Sequence, residues 1–444
     1  MTDAPTLSTA PSVPVSPRLS LMMFLQYAVW GLWLPVIAQY LQAPAVGEAG
    51  GSGTGGLGFS AGQVGWILGL AGSIGAVCSP FIAGQLADRH FRTERCLAVL
   101  LFAGGIIKWY TAYQTTYSSW LLLSILYSIT YMPTLALTNS LALAHLTDRE
   151  RQFPKVRVWG TIGWIAAAWI FPMVWLQTDL HFQALPPFLS GDEVPNSTHR
   201  LVDSMKVSGA VSILYAIYCL FLPATPPRRD AAEPLAFAKA FDLIRRYRSF
   251  AVLVLATLPI SIIHQIYFVQ TAPFLSSLGL KPSQIGPAMS IGQFAEIAVM
   301  AGLGAMLARL RFKWVITIGA LAYFLRYAIF GTPGLPISII VISQALHGFC
   351  YACFFAAAYI YVDRIATSDI RHSAQTVFGI IILGIGPVLS AFVLPALLSA
   401  AKMFPQMSSY SFLWYSLAAI ALVTGVLFAA FFREEVSEKP TALS

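Results

Sequence analysis

Twelve apolar runs of about twenty residues each are the feature that most constrains how this chain can fold. They cover residues 19–41, 60–85, 95–114, 117–143, 155–177, 204–223, 249–276, 284–308, 313–331, 335–362, 372–399 and 409–431. An apolar run of this length crosses the hydrocarbon core of a bilayer as a helix. Only 10% of the 444 residues are charged and the mean hydropathy is +0.70. These charged residues are too few to cover the surface of a water-soluble protein of this length. The sequence predicts an all-α integral membrane protein with twelve transmembrane helices.

The distribution of basic residues predicts how these helices are oriented. With both termini placed inside, inner segments carry 20 of the 27 Lys and Arg residues, outer loops carry four, and three lie within spans. Inner loops of membrane proteins are enriched in basic residues, so this asymmetry predicts two cytoplasmic termini. The net charge of +8 then faces the cytoplasmic leaflet, and no nucleic-acid partner is needed to explain it.

The longest inner connection divides the twelve spans into two groups of six. The predicted organisation is a disordered cytoplasmic tail (1–18), an N-terminal half (19–223), a cytoplasmic linker with a short amphipathic helix (224–248), a C-terminal half (249–432) and a second cytoplasmic tail (433–444). Each half carries a glycine-led basic turn after its second span. Two six-helix pseudo-repeats of this kind predict a transporter whose halves rock about a central site.

The turn in the first half contains Gly84, Asp88 and Arg89. The glycine allows two helices to approach closely, and the carboxylate can cap a helix or pair with a base at the cytoplasmic end. We expect a cytoplasmic gate here. The alternative is a polar turn that only follows the distribution of basic residues.

Glu296 is the one acidic residue that lies deep within a span. It is about twelve residues, or roughly 18 Å, from the outer end of its helix, which places it near the middle of the membrane. Gln293 shares its helix face. A charge at this depth costs about 2.5–3.5 kcal/mol on insertion scales, so it faces a cavity or a partner. We expect the pair to bind substrate and Glu296 to take up a proton; the alternatives are a neutral acid or a salt bridge between helices.

Arg157 opens the fifth span and shares a face with Thr161 and Trp164. This face offers a fork-shaped donor, a hydroxyl and an indole, which suits a binding site. The alternative is that Arg157 extends to the inner surface of the membrane. Lys108 and Arg326 occupy matching places in the two halves, where packing or pairing with carbonyl groups explains them as well as substrate contact does.

Further polar and aromatic residues recur at helical spacing. They are His264, Gln265 and Phe268 in the seventh span, His347, Tyr351 and Phe355 in the tenth, and Gln26, Trp30 and Trp33 in the first. Such stripes are more often packing than binding. Where several converge, they suit a small polar ligand with a flat ring.

Six segments together resemble the nucleoside:proton symporter family of the major facilitator superfamily. They are FLQYAVWG (24–31), YMPTLALTN (131–139), FPKVRVWGTIG (153–163), SIGQFAE (290–296), FLRYAIFG (324–331) and RHSAQ (371–375). The resemblance extends over roughly residues 20–430 and implies a nucleoside site between the halves. The residues that it implies for this site are Arg157, Thr161, Trp164, Gln265, Gln293, Glu296, His347 and Tyr351.

The chain departs from the family pattern at several of these positions. The family usually has Phe at Trp164, and Tyr and Phe at His347 and Tyr351. It has Asn where this chain has Phe268, and an Asp tied to proton coupling where this chain has Ala352. Glu296 is therefore the first candidate for proton coupling and His347 a second, and uniport is the alternative if neither serves.

The resemblance implies an importer of nucleosides by proton symport and alternating access. We expect a monomer in the inner membrane of a bacterium. The same fold also serves sugar and drug transport, and a non-transporting sensor would bind ligand without uptake. A membrane-embedded enzyme would need paired carboxylates or a metal set, whereas Asp88, Asp148, Asp363 and Asp369 are scattered singly. Cys350 and Cys353 form a lone C-x-x-C, which favours packing. We expect no enzyme activity, no cofactor and no metal.

Overall fold

A computed structural model describes most of the chain as helices. The described residues are 17–45, 55–80, 82, 91–182, 189–226, 244–245, 247–365 and 371–435. Within them, ten helices are long and apolar enough to cross a membrane. The predicted gate residues Gly84, Asp88 and Arg89, most of the predicted linker and most of both predicted tails lie outside the described residues.

Six helices form the N-terminal half. They are α1 (Pro17–Gln42), α2 (Ala61–Ser79), α3 (Thr93–Thr111), α4 (Tyr117–Ala144), α5 (Arg149–Trp175) and α6 (Ser197–Cys219). Helix α3 is not one of the ten because every stretch of it that is long enough to span a membrane contains the three charged residues Glu94, Arg95 and Lys108. It nevertheless covers the third predicted span.

The C-terminal half begins with α7 (Arg248–Ser277) and continues into a fifty-residue helix, Pro282–Gly331. The backbone of Arg311 is not helical, with φ 62° and ψ 165°, so this helix bends and holds two predicted spans, α8 (282–310) and α9 (312–331). The remaining helices are α10 (Ile337–Ile365), α11 (371–401) and α12 (Ser409–Phe431). Within the described residues a helix lies in each of the twelve predicted apolar runs, which confirms the all-α fold class.

The polar loop after α5, which the sequence predicts to face outward, contains the one sheet of the described residues. Strands β1 (Gln177–Phe182) and β2 (Leu189–Glu193) pair in an antiparallel hairpin. The carboxylate of Glu193 accepts hydrogen bonds from the Ser283 N–H (3.1 Å) and the Ser283 hydroxyl (2.8 Å). A loop of the N-terminal half thus caps the first turn of α8, a helix of the other half.

Glycines set the helix contacts that position the central residues. A Cβ at Gly31 would lie 2.7 Å from the carbonyl oxygen of Trp164, so only glycine lets α1 touch α5 there. A Cβ at Gly348 would lie 2.6 Å from the backbone nitrogen of Glu296, so α10 touches α8 at the turn that carries the glutamate. Interiors packed this closely leave no room for an added methyl group.

Hydrogen bonds join the two halves toward the side predicted to face outward. Gln39 donates to the Ser276 hydroxyl (3.1 Å) between α1 and α7. The indole of Trp169 donates to the Ser290 hydroxyl (2.5 Å) between α5 and α8. Nearer the middle, the Ser73 hydroxyl contacts the Gly384 carbonyl (2.7 Å) between α2 and α11. The halves are therefore closed against each other on that side.

We expect Gly348→Ala to destabilise the fold. The added methyl group meets backbone atoms of α8 at 2.5–2.7 Å and cannot be relieved by moving a side chain. Overpacking of this kind costs about 1–3 kcal/mol. The free energy of unfolding, measured by denaturant titration in mixed micelles, should fall by this amount. Gly302→Ala on α8 is the control, since its Cβ meets nothing within 4 Å. Equal stability of the two variants would contradict the assigned contact.

Candidate functional site

A cavity of about 350 Å³ lies between the two halves. All eight residues predicted to contact substrate line it: Arg157, Thr161, Trp164, Gln265, Gln293, Glu296, His347 and Tyr351. They come from α5 in the N-terminal half and from α7, α8 and α10 in the C-terminal half. Side chains of α1, α2, α3, α4 and α11 complete the wall.

Three widened helical turns contribute to this wall. Residues Trp66–Leu70 of α2, Cys350–Ala356 of α10 and Ile381–Ile385 of α11 form π-helical turns. Each supplies residues that line the cavity, among them Tyr351. A π turn inserts an extra residue per turn and so rotates the side chains after it; such turns occur frequently at functional sites. No sequence pattern predicted them.

Arg157 lies against an aromatic ring at the cavity wall. Its guanidinium carbon is 4.2 Å from the ring centroid of Tyr27 on α1. Gly160 makes this possible, since a Cβ there would lie 2.6 Å from the Tyr27 ring and 2.8 Å from Arg157 Nη1. A guanidinium stacked on a ring keeps its in-plane N–H donors free for a ligand. Arg157 therefore belongs to the cavity wall, and sequence analysis did not identify Tyr27.

An aromatic wall extends from Trp164 across the N-terminal half. The ring centroids of Trp164 and Trp30 are 5.7 Å apart in an edge contact, and those of Trp30 and Tyr131 are 6.0 Å apart. Tyr131 in turn stacks on Tyr127 at 5.3 Å. The wall provides flat and edge-on surfaces for a planar ligand.

Gln26, on the predicted face of α1, does not line the cavity. Its amide is fully buried and bonds Thr134 (2.8 Å) and Thr138 (3.1 Å) of α4. Tyr131 donates to its backbone carbonyl. Gln26 therefore joins α1 to α4 and is structural, whereas Trp30 and Trp33 on the same predicted face do line the cavity.

Glu296 and Gln293 lie one turn apart on α8, and both border the cavity. The Oε1 atom of Gln293 is buried and has no hydrogen-bond partner within the described ranges. Glu296 is within electrostatic range of Arg157, but the two form no ion pair in the part of the chain that the structure describes. The carboxylate and the guanidinium thus face one cavity from opposite halves, and the salt bridge considered from the sequence is not made.

Arg326 supports the site from behind. It is fully buried, and its Nη1 donates to His347 Nδ1 (2.8 Å) while its Nη2 donates to the Tyr327 hydroxyl (3.2 Å). Its guanidinium carbon is 4.0 Å from the Tyr267 ring centroid. An arginine can only donate, so His347 Nδ1 accepts and the ring proton of a neutral His347 is on Nε2. Arg326 thereby fixes the tautomer of a cavity residue.

Phe268 and His264 complete this side of the cavity. His264 stacks on His347 with centroids 5.6 Å apart, and its Nδ1 bonds the Tyr323 hydroxyl (2.7 Å). Phe268 meets both imidazoles edge-on. Where the family resemblance implies an amide, this chain therefore has a ring against two stacked imidazoles.

Lys108 and Arg326, which match in the two repeats, have different surroundings. Lys108 lines the cavity and lies between aromatic rings, whereas Arg326 has hydrogen-bond partners and does not line the cavity.

Cys350 and Cys353 are buried free thiols. Among the described residues, no cluster of His, Cys, Asp and Glu could hold a metal ion.

Comparison with known proteins finds one family over nearly the whole chain. The family model described as Nucleoside H+ symporter matches residues 13–437. YegT of Escherichia coli, a nucleoside transporter by name, is 30% identical over 95% of this chain and 94% of its own. The nucleoside permease NupG of Escherichia coli is 26% identical over 96% of this chain and 97% of its own.

Solved structures show the same fold. The crystal structure of the nucleoside transporter NupG superposes with a TM-score of 0.76 at 23% identity, covering 95% of this chain and 100% of that chain. A D-xylose–proton symporter superposes with a TM-score of 0.68 at 13% identity, covering 94% and 98%. At these identities the likeness extends to the fold alone.

We expect His347→Phe to destabilise the C-terminal half, because it leaves a buried N–H of Arg326 without an acceptor. A hydrogen bond to a charged group contributes about 1.5–3 kcal/mol, so the free energy of unfolding in mixed micelles should fall by that amount. The matched control is the double variant Arg326→Met/His347→Phe, compared with each single variant. Its loss should be smaller than the sum of the single losses. Strict additivity would show that the two side chains do not interact.

Proposed function

The chain belongs to the Nucleoside H+ symporter family, and on that premise we propose that it imports nucleosides with protons across the inner membrane of a bacterium. The observation that carries the proposal is the cavity between the halves, which Arg157 and Glu296 border from opposite sides without pairing. A polar ligand between them would contact both halves at once. Binding energy could then be coupled to the relative movement of the halves.

We infer that a nucleoside is held by donors from one half and acceptors from the other. The guanidinium of Arg157 offers two parallel N–H groups, and Thr161 adds a hydroxyl one turn away. The free Oε1 of Gln293 can accept from a hydroxyl or an amino group of the ligand. Trp164 can contact the planar base at the end of the aromatic wall.

Glu296 is the proposed proton carrier. As an anion it attracts Arg157 across the cavity, and as an acid it can donate to the ligand, so its protonation changes both the charge and the hydrogen bonds of the site. If a proton favours nucleoside binding, the nucleoside must favour proton binding by the same factor. His347 can donate to the ligand from Nε2. Its sharing of the transported proton would require a proton at Nδ1 and the loss of its bond to Arg326.

The remaining architecture follows the sequence predictions. We propose that the halves 19–223 and 249–432 move about the cavity, joined by the linker 224–248, with both termini in the cytoplasm. Gly84, Asp88 and Arg89 would form the cytoplasmic gate. We propose a monomer, since the cavity is lined by both halves of a single chain.

Uptake of labelled uridine and adenosine into proteoliposomes tests the function. We expect an inward proton gradient to drive accumulation in the wild type and Glu296→Gln to abolish the gradient dependence, because glutamine cannot exchange a proton. Asp192→Asn, an exposed acid of the outer hairpin, is the control and should behave as the wild type.

Two outcomes would contradict this proposal in different ways. Uptake that equilibrates and ignores the gradient would mean uniport, which Ala352 in place of an acidic residue would explain. Uptake of neither nucleoside would leave a transporter with another small polar solute, such as a sugar, as its substrate.

A second prediction concerns Arg157. We expect Arg157→Lys to raise the KM for nucleoside uptake by about tenfold, because lysine keeps the charge but loses the planar fork and the stack on Tyr27. Arg200→Lys, on an exposed residue near the start of α6, should leave the KM unchanged. An unchanged KM in Arg157→Lys would show that only the charge of Arg157 contributes to nucleoside binding, and that its planar shape and its stack on Tyr27 do not.

A further inference from the structure

Three buried hydrogen-bond donors meet at the part of the cavity formed by α1, α3 and α4. The ammonium of Lys108 lies 3.4 Å from the ring centroid of Trp33 and 3.6 Å from that of Tyr127. Lys108, Trp33 and Tyr127 are only 3%, 9% and 5% exposed, and all three line the cavity. We call these three residues the Lys108 cluster.

Two of these donors, the Trp33 indole and the Tyr127 hydroxyl, have no hydrogen-bond partner in the described part of the chain. The indole N–H of Trp33 lies beside the Tyr127 hydroxyl, but neither atom has a hydrogen-bond partner. Lys108 forms no ion pair with any described carboxylate. Buried polar groups are normally satisfied, so two unpaired donors beside a buried lysine need an explanation.

The position of Lys108 excludes the usual behaviour of a lysine near a membrane surface. Lys108 is three residues from the outer end of α3, where an extended side chain could reach the interface. Its ammonium instead lies between Trp33 and Tyr127, each about ten residues, or roughly 15 Å, from the outer end of its own helix. Side chains lean toward the N-terminus of their helix, which takes this ammonium inward.

Basic residues outnumber acidic residues around the cavity. Lys108 and Arg157 are the basic residues that border it, Arg326 lies directly behind His347, and Glu296 is the one acidic residue among those described residues that line it. Two ring faces compensate only part of the desolvation of an ammonium group. A ligand with one negative charge would satisfy the three donors and offset the excess.

The aromatic wall connects the Lys108 cluster to the predicted nucleoside site. Trp164 contacts Trp30, Trp30 contacts Tyr131, and Tyr131 stacks on Tyr127. A planar base lying along this wall would present its far edge to the ammonium of Lys108. The Lys108 cluster is thus placed at one end of a continuous surface.

We propose that the Lys108 cluster is an anion subsite that binds a compact, singly charged acceptor, supplied by a nucleoside whose base is ionised at neutral pH. The choice of a nucleoside as the source rests on the proposed function. A free halide offers the same chemistry to the same three donors, and the experiment separates the two sources.

The first measurement is equilibrium binding of xanthosine and inosine to the purified full chain in detergent, at neutral pH in halide-free gluconate. Xanthosine loses a proton from its base near neutral pH, whereas inosine lacks one oxo group and stays neutral. We expect xanthosine to bind about tenfold more tightly, as one charge-assisted hydrogen bond would give. Lys108→Met should bring the ratio of affinities near one, and Lys108→Arg should retain the preference.

Two further variants test the donors apart from the rings. Trp33→Phe and Tyr127→Phe keep an aromatic face toward Lys108 but remove the N–H and the O–H, and each should reduce the preference. Lys402→Met, on an exposed residue at the end of α11, is the control and should keep the wild-type ratio.

The second measurement is quenching of tryptophan fluorescence by bromide at constant ionic strength. A saturable component in the wild type that is lost in Lys108→Met would identify a halide at the subsite, whatever the nucleoside ratio. The subsite would be overturned if the ratio of xanthosine to inosine affinity were the same in the wild type and Lys108→Met and bromide gave no saturable quenching. If the wild type binds neither nucleoside, the proposed function fails, and the bromide titration alone decides on the anion subsite.

Discussion

The hydrocarbon core of a bilayer offers no water to an ionised side chain, and the centre of this protein is organised around that constraint. Arg326 has two hydrogen-bond partners and a ring face, and it does not line the cavity. Arg157 and Lys108 have ring faces but keep donors free toward the cavity. Glu296 faces the same space. Of these four residues, the three that border the cavity have no hydrogen-bonded protein partner among the described residues, whereas Arg326 has two.

Sequence reasoning predicted the fold and eight residues that line the cavity, because both follow from this constraint. Apolar run length determined the twelve helices, and the cost of intramembrane charge singled out Arg157 and Glu296. Tyr27 and the bond between Arg326 and His347 were missed, since they depend on how helices far apart in sequence pack together. The π turn around Tyr351 and the hairpin after α5 were missed for a different reason, since neither has a distinctive local residue pattern.

On the C-terminal side of the cavity, two residues that depart from the family pattern, His347 and Phe268, are in contact with each other. His347 stands where the family resemblance implies a tyrosine, and Arg326 holds its Nδ1. Phe268, where an amide is implied, packs edge-on against His347 and His264. Together these residues replace a hydroxyl and an amide by an oriented imidazole N–H beside apolar rings. Among the described residues that line the cavity, the buried polar atoms without a hydrogen-bond partner are Gln293 Oε1 on this side and Trp33 Nε1 and the Tyr127 hydroxyl on the other.

The two hydrogen bonds between Glu193 and Ser283 have a consequence for the timing of transport. They join the hairpin of one half to the first turn of α8 in the other half. Any cycle that separates α5 and α8 at these ends must break both bonds once per turnover and form them again. Because the bonded atoms lie outside the cavity, the strength of the two bonds would affect how fast the halves separate without altering any contact to the cargo.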